Sequence, residues 1–166
     1  SLALQNTSHE SRVEMLRDLL FQSYLILAMV QRRQGQTAES EATMGEFIRS
    51  FPDRSVAQSD FGPEALDLYR FVYGDLAALK KGSLVIHVSQ PGTAIYVNEI
   101  AQASAGGNAT LRPLVPGTYR VLVRSLDISD RVRLYNVPVY PGQMTTLNID
   151  WELDSVLVME KWVGFQ

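Results

Sequence analysis

The spacing of apolar residues changes at Gly82, and this change divides the chain into a helical part and a strand part. Before Gly82, large apolar residues recur at spacings of three and four, which is the period of an amphipathic helix. After it they alternate with other residues, so that Leu84 and Ile86 share one face of a β-strand. The sequence therefore predicts an α+β fold, with a helical domain over residues 1–82 and a β domain over residues 83–166.

Three helices are predicted in the first domain. The first spans about residues 9–34, where Ser8 is suited to cap the start and Gly35 to end the helix in a left-handed conformation. The second spans about residues 37–51 and stops before a proline. The third spans about residues 63–80 and opens with a proline in its first turn, followed by an acidic residue that complements the helix dipole.

The second domain is predicted to be a small antiparallel β-sandwich, because roughly six or seven short strands are separated by regular turn signals. Residues 84–88 and 94–97 are predicted to pair as a hairpin around a Pro-Gly turn. Residues 98–109 are small and polar and are expected to form the longest loop. Pro138 indicates an edge strand or a bulge, and residues 155–163 are apolar enough to form a last strand.

Composition excludes several classes of function. The net charge of −3 gives no general field for nucleic acid, so no nucleic-acid partner is expected. The absence of cysteine excludes disulfides, thiolate metal sites and a cysteine nucleophile. The longest apolar run, residues 19–30, is shorter than the roughly 20 residues that a membrane span needs. No membrane span is therefore predicted in this chain.

No catalytic constellation is visible, so the chain is not expected to be an enzyme or to carry a cofactor. The histidines are His9, near the start, and His87, on the predicted outer face of a strand, and neither stands beside a nucleophile motif. Two carboxylates at a set separation would serve sugar hydrolysis, but the aspartates of the β domain fall at turns, where local hydrogen bonding explains them. These aspartates are Asp127, Asp130, Asp150 and Asp154.

Two groups of residues are candidates for an interaction surface. Four arginines are predicted to line one outer face of the sandwich: Arg120, Arg124, Arg131 and Arg133. Such a face is either simply solvated or a mildly basic docking patch. Trp162 and Phe165 form an apolar end with few charges, which predicts that residues 155–165 pack against the helical half, another subunit or a partner. Trp151 falls on the inward phase of its strand and is predicted to pack in the core.

The first two helices resemble one degenerate tetratricopeptide repeat. Tyr24, Leu27 and Ala28 fall at the large, apolar and small positions of that motif, and Gly35 and Pro52 fall at its glycine and proline positions. The resemblance covers one repeat of about 34 residues and implies a helical hairpin. A peptide-binding superhelix would require several stacked repeats.

The β domain resembles a PEGA domain over about residues 82–150. The matching segments are Gly82-Ser-Leu84, Ile95-Tyr-Val-Asn98, Pro116-Gly-Thr-Tyr-Arg-Val121 and Pro141-Gly-Gln143. Two features depart from the family pattern. The tetrapeptide that names the family reads Pro-Gly-Thr-Ala at residues 91–94, and Glu99 stands where a turn glycine is usual.

The PEGA resemblance implies an extracytoplasmic bacterial protein, often anchored or multidomain, that acts in envelope structure or interaction without catalysis. Another envelope protein or a second copy is then the expected partner. The alternative is a module that binds carbohydrate or peptidoglycan through the loop at residues 98–109 and exposed aromatic rings. The rings available for that role are Tyr96, Tyr135, Tyr140 and Trp162.

Overall fold

The computed structural model describes residues 2–104, 106–126 and 131–152, with the backbone alone for residues 2–13 and Asp60. Three helices precede seven strands in these ranges, which confirms the predicted α+β class. The chain forms two compact units that divide between Asp75 and Leu76. The predicted strand over residues 155–163 lies outside the described residues.

The helices are α1 (Leu2–Arg33), α2 (Thr37–Ser50) and α3 (Gln58–Ala78). The prediction that the first helix starts near residue 9 was wrong, because no glycine or proline before Gly35 stops the helix from extending to Leu2. Gly62 interrupts α3 with φ 79° and ψ 174°, so a regular helix begins at Pro63, as predicted.

All three helices supply buried side chains to the helical unit, with Ala65 and Leu68 of α3 fully buried. Leu25 and Ala28 of α1 are fully buried, as are Met44 and Phe47 of α2. The buried hydroxyl of Ser40 donates a 2.8 Å hydrogen bond to the carbonyl of Ala28, so the small side chain lets the helices approach without leaving a polar group unpaired.

An ion cluster ties the residues after α2 to α1. The guanidinium of Arg54 donates hydrogen bonds of 2.5 Å to Asp18 and 2.7 Å to Glu14, and it lies 5.2 Å from the ring centre of Phe21. The hydrogen bond to Asp18 raises the pKa of Arg54 above its ordinary value; the charges of Asp18, Glu14 and Asp53 act in the same direction and partial burial acts against them. Arg54 therefore stays charged at any physiological pH.

The second unit contains two sheets. The strands are β1 (Gly82–Val88), β2 (Thr93–Val97), β3 (Ile100–Gln102), β4 (Asn108–Leu114), β5 (Gly117–Ser125), β6 (Val132–Val139) and β7 (Met144–Ile149). One sheet has the order β4-β1-β7 and the other β3-β2-β5-β6. The pair β1–β7 is parallel, which departs from the predicted antiparallel sandwich, because apolar alternation along a strand is the same in both arrangements.

The inner faces of both sheets supply a single hydrophobic core, as expected of a sandwich. Alternation in β1 and β5 places every second residue in that core, as predicted. The buried members include Leu84, Ile86, Val88, Ile95, Val97, Tyr119, Val121, Val123, Val137, Val139, Leu147, Ile149 and Trp151. Gly82 opens β1 at a very close approach: a Cβ there would lie 2.6 Å from both the carbonyl oxygen of Tyr140 and the Cγ1 of Val139.

Two predictions about the first strands were wrong. β1 and β2 belong to different sheets and are not a hairpin, because β4 and β7 occupy both edges of β1. The predicted loop at residues 98–109 contains β3, which pairs with β2 across a tight turn at Asn98 and Glu99. The edge position predicted from Pro138 was confirmed, since β6 is an outer strand of its sheet.

Candidate interaction surface

The outer face of the four-stranded sheet carries a shallow depression of about 550 Å³. Residues of β5 alternate between the core and this face, so that Val121 and Val123 are buried while Arg120, Leu122 and Arg124 point outward. The depression is lined by Tyr96, Glu99, Arg120, Leu122, Arg124, Val132 and Leu134.

An apolar row crosses this face. Strand register places Leu122 between Tyr96 of β2 and Leu134 of β6. Leu134 is 61% exposed, and Val132, two residues before it on the same face, is 54% exposed. We refer to Tyr96, Leu122, Val132 and Leu134 as the apolar row. Contiguous exposed apolar side chains of this kind are typical of contact sites.

Arg120 lies at one end of the depression and stabilises the turn between β2 and β3 by hydrogen bonds. Asn98 and Glu99 have φ angles of 45° and 64°, a left-handed conformation that costs a residue with a side chain more than it costs glycine. Two nitrogens of the Arg120 guanidinium each donate a 3.0 Å hydrogen bond to a carboxylate oxygen of Glu99, and the backbone N–H of Arg120 donates to Asn98 Oδ1 at 2.9 Å. The charge of Arg120 is thus already engaged within the chain.

Arg124 and Arg131 lie at the other end of the face. Both are exposed, and the backbone N–H of Ser125 donates to the carbonyl of Arg131 at 2.9 Å, which holds the two segments together. Arg120 and Arg124 therefore share the predicted outer face, with Arg131 beside its end.

Arg133 does not lie on that face, and the prediction that it does was wrong. It occupies the same phase of β6 as the core residues Val137 and Val139 and is 8% exposed. Its guanidinium lies 4.3 Å from the ring centre of Trp151, and its Nη2 donates a 2.7 Å hydrogen bond to the carbonyl of Trp151. Stacking and this bond offset part of the cost of burying the charge. Trp151 itself packs in the core, as predicted.

The structure places His87 and Asp150 apart from any cluster of metal-ligating side chains among the described residues. In residues 2–104, 106–126 and 131–152, His, Cys, Asp and Glu form no group of three or more that could hold a metal ion. His87 is exposed, and its Nδ1 lies 2.7 Å from Asn108 Oδ1. Asp150 accepts a 3.2 Å hydrogen bond from the backbone N–H of Glu152, the local role predicted for it. Asp127, Asp130, Asp154, Trp162 and Phe165 lie outside the described residues.

No helix within the described ranges is both long and apolar enough to cross a membrane.

Aromatic rings are sparse on the outer face. Tyr96 lines the depression, whereas Tyr135 is partly buried against the core. Tyr140 is half-buried at the end of β6. Tyr96, Tyr135 and Tyr140 therefore do not form a sugar-binding face of two or three adjacent rings.

Leu122, Val132 and Leu134 were not among the predicted surface residues, because the candidates on the sheet were chosen by their charge. Leu122 and Leu134 could have been found from the two-residue period, which places each on the opposite face to the buried valines of its own strand. Glu99 was identified only as a departure from a glycine. Its pairing with Arg120 depends on strand register, which a single sequence does not reveal.

The chain matches no protein-family model and no curated protein.

Proposed function

We propose that this chain is a non-enzymatic protein-interaction module of the bacterial cell envelope. The observation that carries the proposal is the apolar row, an exposed strip on the outer face of a folded sheet. Leu134 and Val132 are exposed side by side on β6 and lie outside the hydrophobic core. Binding a protein surface would remove this strip from water.

The chemistry around the row favours a partner segment that carries aliphatic side chains beside carboxylates. The aliphatic groups would cover Leu122 and Leu134. The carboxylates would lie near Arg124, which is exposed, and near Arg131. The charged residues that line the depression are Glu99, Arg120 and Arg124, and together they carry a net charge of +1.

The envelope location rests on the resemblance of residues 82–150 to a PEGA domain. The interaction role is also supported by the resemblance of the first two helices to one tetratricopeptide repeat. Both are modules that bind or space other proteins. Fractionation of cells that produce the full-length protein tests the location: recovery in the cytoplasm would contradict it.

The alternative function is binding of carbohydrate or peptidoglycan. Tyr96 offers one ring in the depression, and sugar stacking would require others beside it. The two functions are distinguished in one experiment, a titration followed by NMR with separate probes.

The first probe is a short synthetic peptide in which Glu alternates with Val, and the second has Lys in place of Glu. The third is an oligomer of N-acetylglucosamine. We expect saturable shifts of the Tyr96, Leu122 and Leu134 signals with the acidic peptide and weaker ones with the basic peptide.

Leu134→Glu places a carboxylate within the row and should weaken binding of the acidic peptide at least about fivefold. Leu126→Glu is the matched control, because Leu126 is 67% exposed and does not line the depression. Binding of the sugar alone would favour the alternative function. No saturable shift with any probe, or equal loss in both variants, would refute the proposed surface.

A further inference from the structure

One face of α1 is apolar and exposed along about four turns. Six of its large side chains are between 44% and 60% exposed. They are Met15, Leu16, Leu19, Ile26, Leu27 and Val30. Their spacings of three, four and seven place them on one side of the helix, while Leu25 and Ala28 on another side are fully buried. We call these six residues the α1 stripe.

The centre of the α1 stripe is Ser23, which is exposed. Its hydroxyl donates a 2.7 Å hydrogen bond to the carbonyl of Leu19, within the same helix. Covering the stripe would therefore leave no unpaired polar group at its centre, and the usual cost of burying a hydroxyl is avoided.

Two pairs of residues of the α1 stripe lie at equal distances on either side of Ser23: Leu16 with Val30, and Leu19 with Leu27. The counterpart of Ile26 is Leu20, which is partly buried and is not one of the six stripe residues. A two-fold interface requires that residue i of one copy meet residue j of the other while j meets i. An antiparallel pair of α1 helices that cross at Ser23 satisfies this requirement for both pairs.

We propose that the α1 stripe is a homodimer interface in which α1 of one copy packs antiparallel against α1 of a second copy. The small side chain of Ser23 at the crossing lets the two backbones approach closely, with the larger aliphatic groups interlocking on either side.

The area of the stripe fits a second copy as the occupant. Its six side chains expose on the order of 500 Å² of apolar surface, so a pair of copies would bury about 1,000 Å². That total is near the lower limit for a specific interface. The six stripe residues are all uncharged, so two identical copies meet along them without like-charge repulsion. Arg17 and Asp18, which lie between Met15 and Val30 in the sequence, form ion pairs with Asp53 and Arg54.

Charge-swap variants, studied by sedimentation equilibrium, test the pairing of Leu19 with Leu27. We expect the unmodified chain to dimerise reversibly. Leu19→Glu alone or Leu27→Lys alone should weaken the dimer by about tenfold or more, because each buries one unpaired charge against leucine. A chain carrying both substitutions should regain most of the lost affinity.

The double variant reports specifically on the antiparallel arrangement. Positions 19 and 27 are eight residues apart on one helix, beyond the reach of a contact within that helix. Across the proposed two-fold axis, each glutamate meets a lysine. In a parallel dimer, like charges would meet instead, and in a complex with a different protein neither substitution would compensate the other.

Phe71→Glu is the matched control, since Phe71 is 55% exposed on α3 and should leave the dimer intact. Circular dichroism of each variant shows whether the helices remain folded. A second measurement uses the Ser23→Cys variant. Because the chain has no other cysteine, the new thiol should form a disulfide-linked dimer under mild oxidation. Ala42→Cys, exposed on α2, should not.

Three results would overturn the proposal. The first is a monomer for the unmodified chain at millimolar concentration. The second is a dimer that Leu19→Glu leaves unchanged or that Phe71→Glu disrupts. The third is a double variant that dimerises more weakly than either single variant, since this would place like charges opposite each other.

Discussion

The core of the helical unit and the core of the strand unit differ in the side chains that form them. The helical core is aromatic: the ring of Phe21 lies 5.0 Å from that of Phe47, 5.4 Å from that of Phe51 and 6.0 Å from that of Phe61, measured between centres. The strand core is mostly aliphatic, with valine, isoleucine and leucine on the inner faces of both sheets. Large rings fill the irregular space between helices, whereas branched side chains suit regular strands.

The two units also differ in how many large apolar side chains they leave exposed to solvent. Among its described side chains, α1 exposes six that are large and apolar, while β1, β2 and β5 place most of their aliphatic residues in the shared core. The comparison indicates that the strand unit buries most of its large apolar side chains, whereas α1 leaves more of its own exposed. Substitutions in each unit can break or sharpen this contrast.

The largest effect is expected for Phe47→Ala. Phe47 is fully buried and contacts the rings of Phe21, Phe51 and Tyr69, so its removal leaves a large cavity. The free energy of unfolding of the helical unit should fall by about 3–5 kcal/mol. Helical circular dichroism at 222 nm in a urea titration measures the change.

Phe71→Ala serves as the control for Phe47→Ala, because Phe71 is 55% exposed, and a loss below about 1 kcal/mol is expected. Trp151 lies in the core of the second unit and no tryptophan precedes Gly82 in the sequence, so tryptophan fluorescence does not report on the helical unit. Equal losses for the two variants would show that the aromatic cluster is not the core of the helical unit.

The next effect is expected for Gly82→Ala. A Cβ at Gly82 would clash at 2.6 Å with the carbonyl oxygen of Tyr140, which is backbone and cannot rotate away. We expect a loss of about 2–3 kcal/mol in the strand unit. Gly74→Ala is the matched control in α3, where nothing lies within 4 Å and the better helix former should stabilise by about 0.5–1 kcal/mol. Losses of the same size at both positions would contradict the close approach at Gly82.

A smaller effect is expected at Arg133. Arg133→Ala removes the group stacked on Trp151 and leaves the Trp151 carbonyl without this donor, so a loss of about 2 kcal/mol is expected. Arg133→Met keeps most of the apolar volume and removes the buried charge, and should cost less than about 1 kcal/mol. Thermal unfolding followed by tryptophan fluorescence compares the two. A costlier methionine variant would show that the guanidinium contributes more than packing.

The smallest effect is a pH dependence in the helical unit. Burial raises the pKa of the Tyr69 hydroxyl above its ordinary 10.0, and neighbouring Tyr73 raises it further. The folded state therefore favours the neutral phenol, so this contribution to stability is complete below pH 10 and is lost as pH rises through the folded-state value. Tyr69→Phe should flatten the decline in melting temperature above pH 10. An unchanged alkaline slope would exclude Tyr69 as its source.

Local patterns predicted the class of fold and most of the core. The inward phases of Leu84, Ile86, Val121 and Val123 followed from alternation alone. The pairing of strands did not, because β1 meets β4 and β7 through contacts distant in sequence that leave no trace in local periodicity.

The candidate surface was predictable only in part for a related reason. Arg120 and Arg124 were identified from charge, and the same criterion placed Arg133 on the wrong face. Charge alone favours an exposed position, because a buried arginine is uncommon. The buried position of Arg133 follows from the two-residue phase of β6 and from the ring of Trp151, which lies 18 residues further along the chain.

The parallel pairing of β1 with β7 has a consequence for synthesis of the chain. β1 is the central strand of its sheet and leaves the ribosome first, whereas β7 follows about 60 residues later, or roughly 3–12 seconds at usual rates of translation. During that interval one edge of β1 lacks its final neighbour. Nascent chains stalled before Met144 should therefore remain sensitive to protease in this unit and become resistant only once Ile149 has emerged.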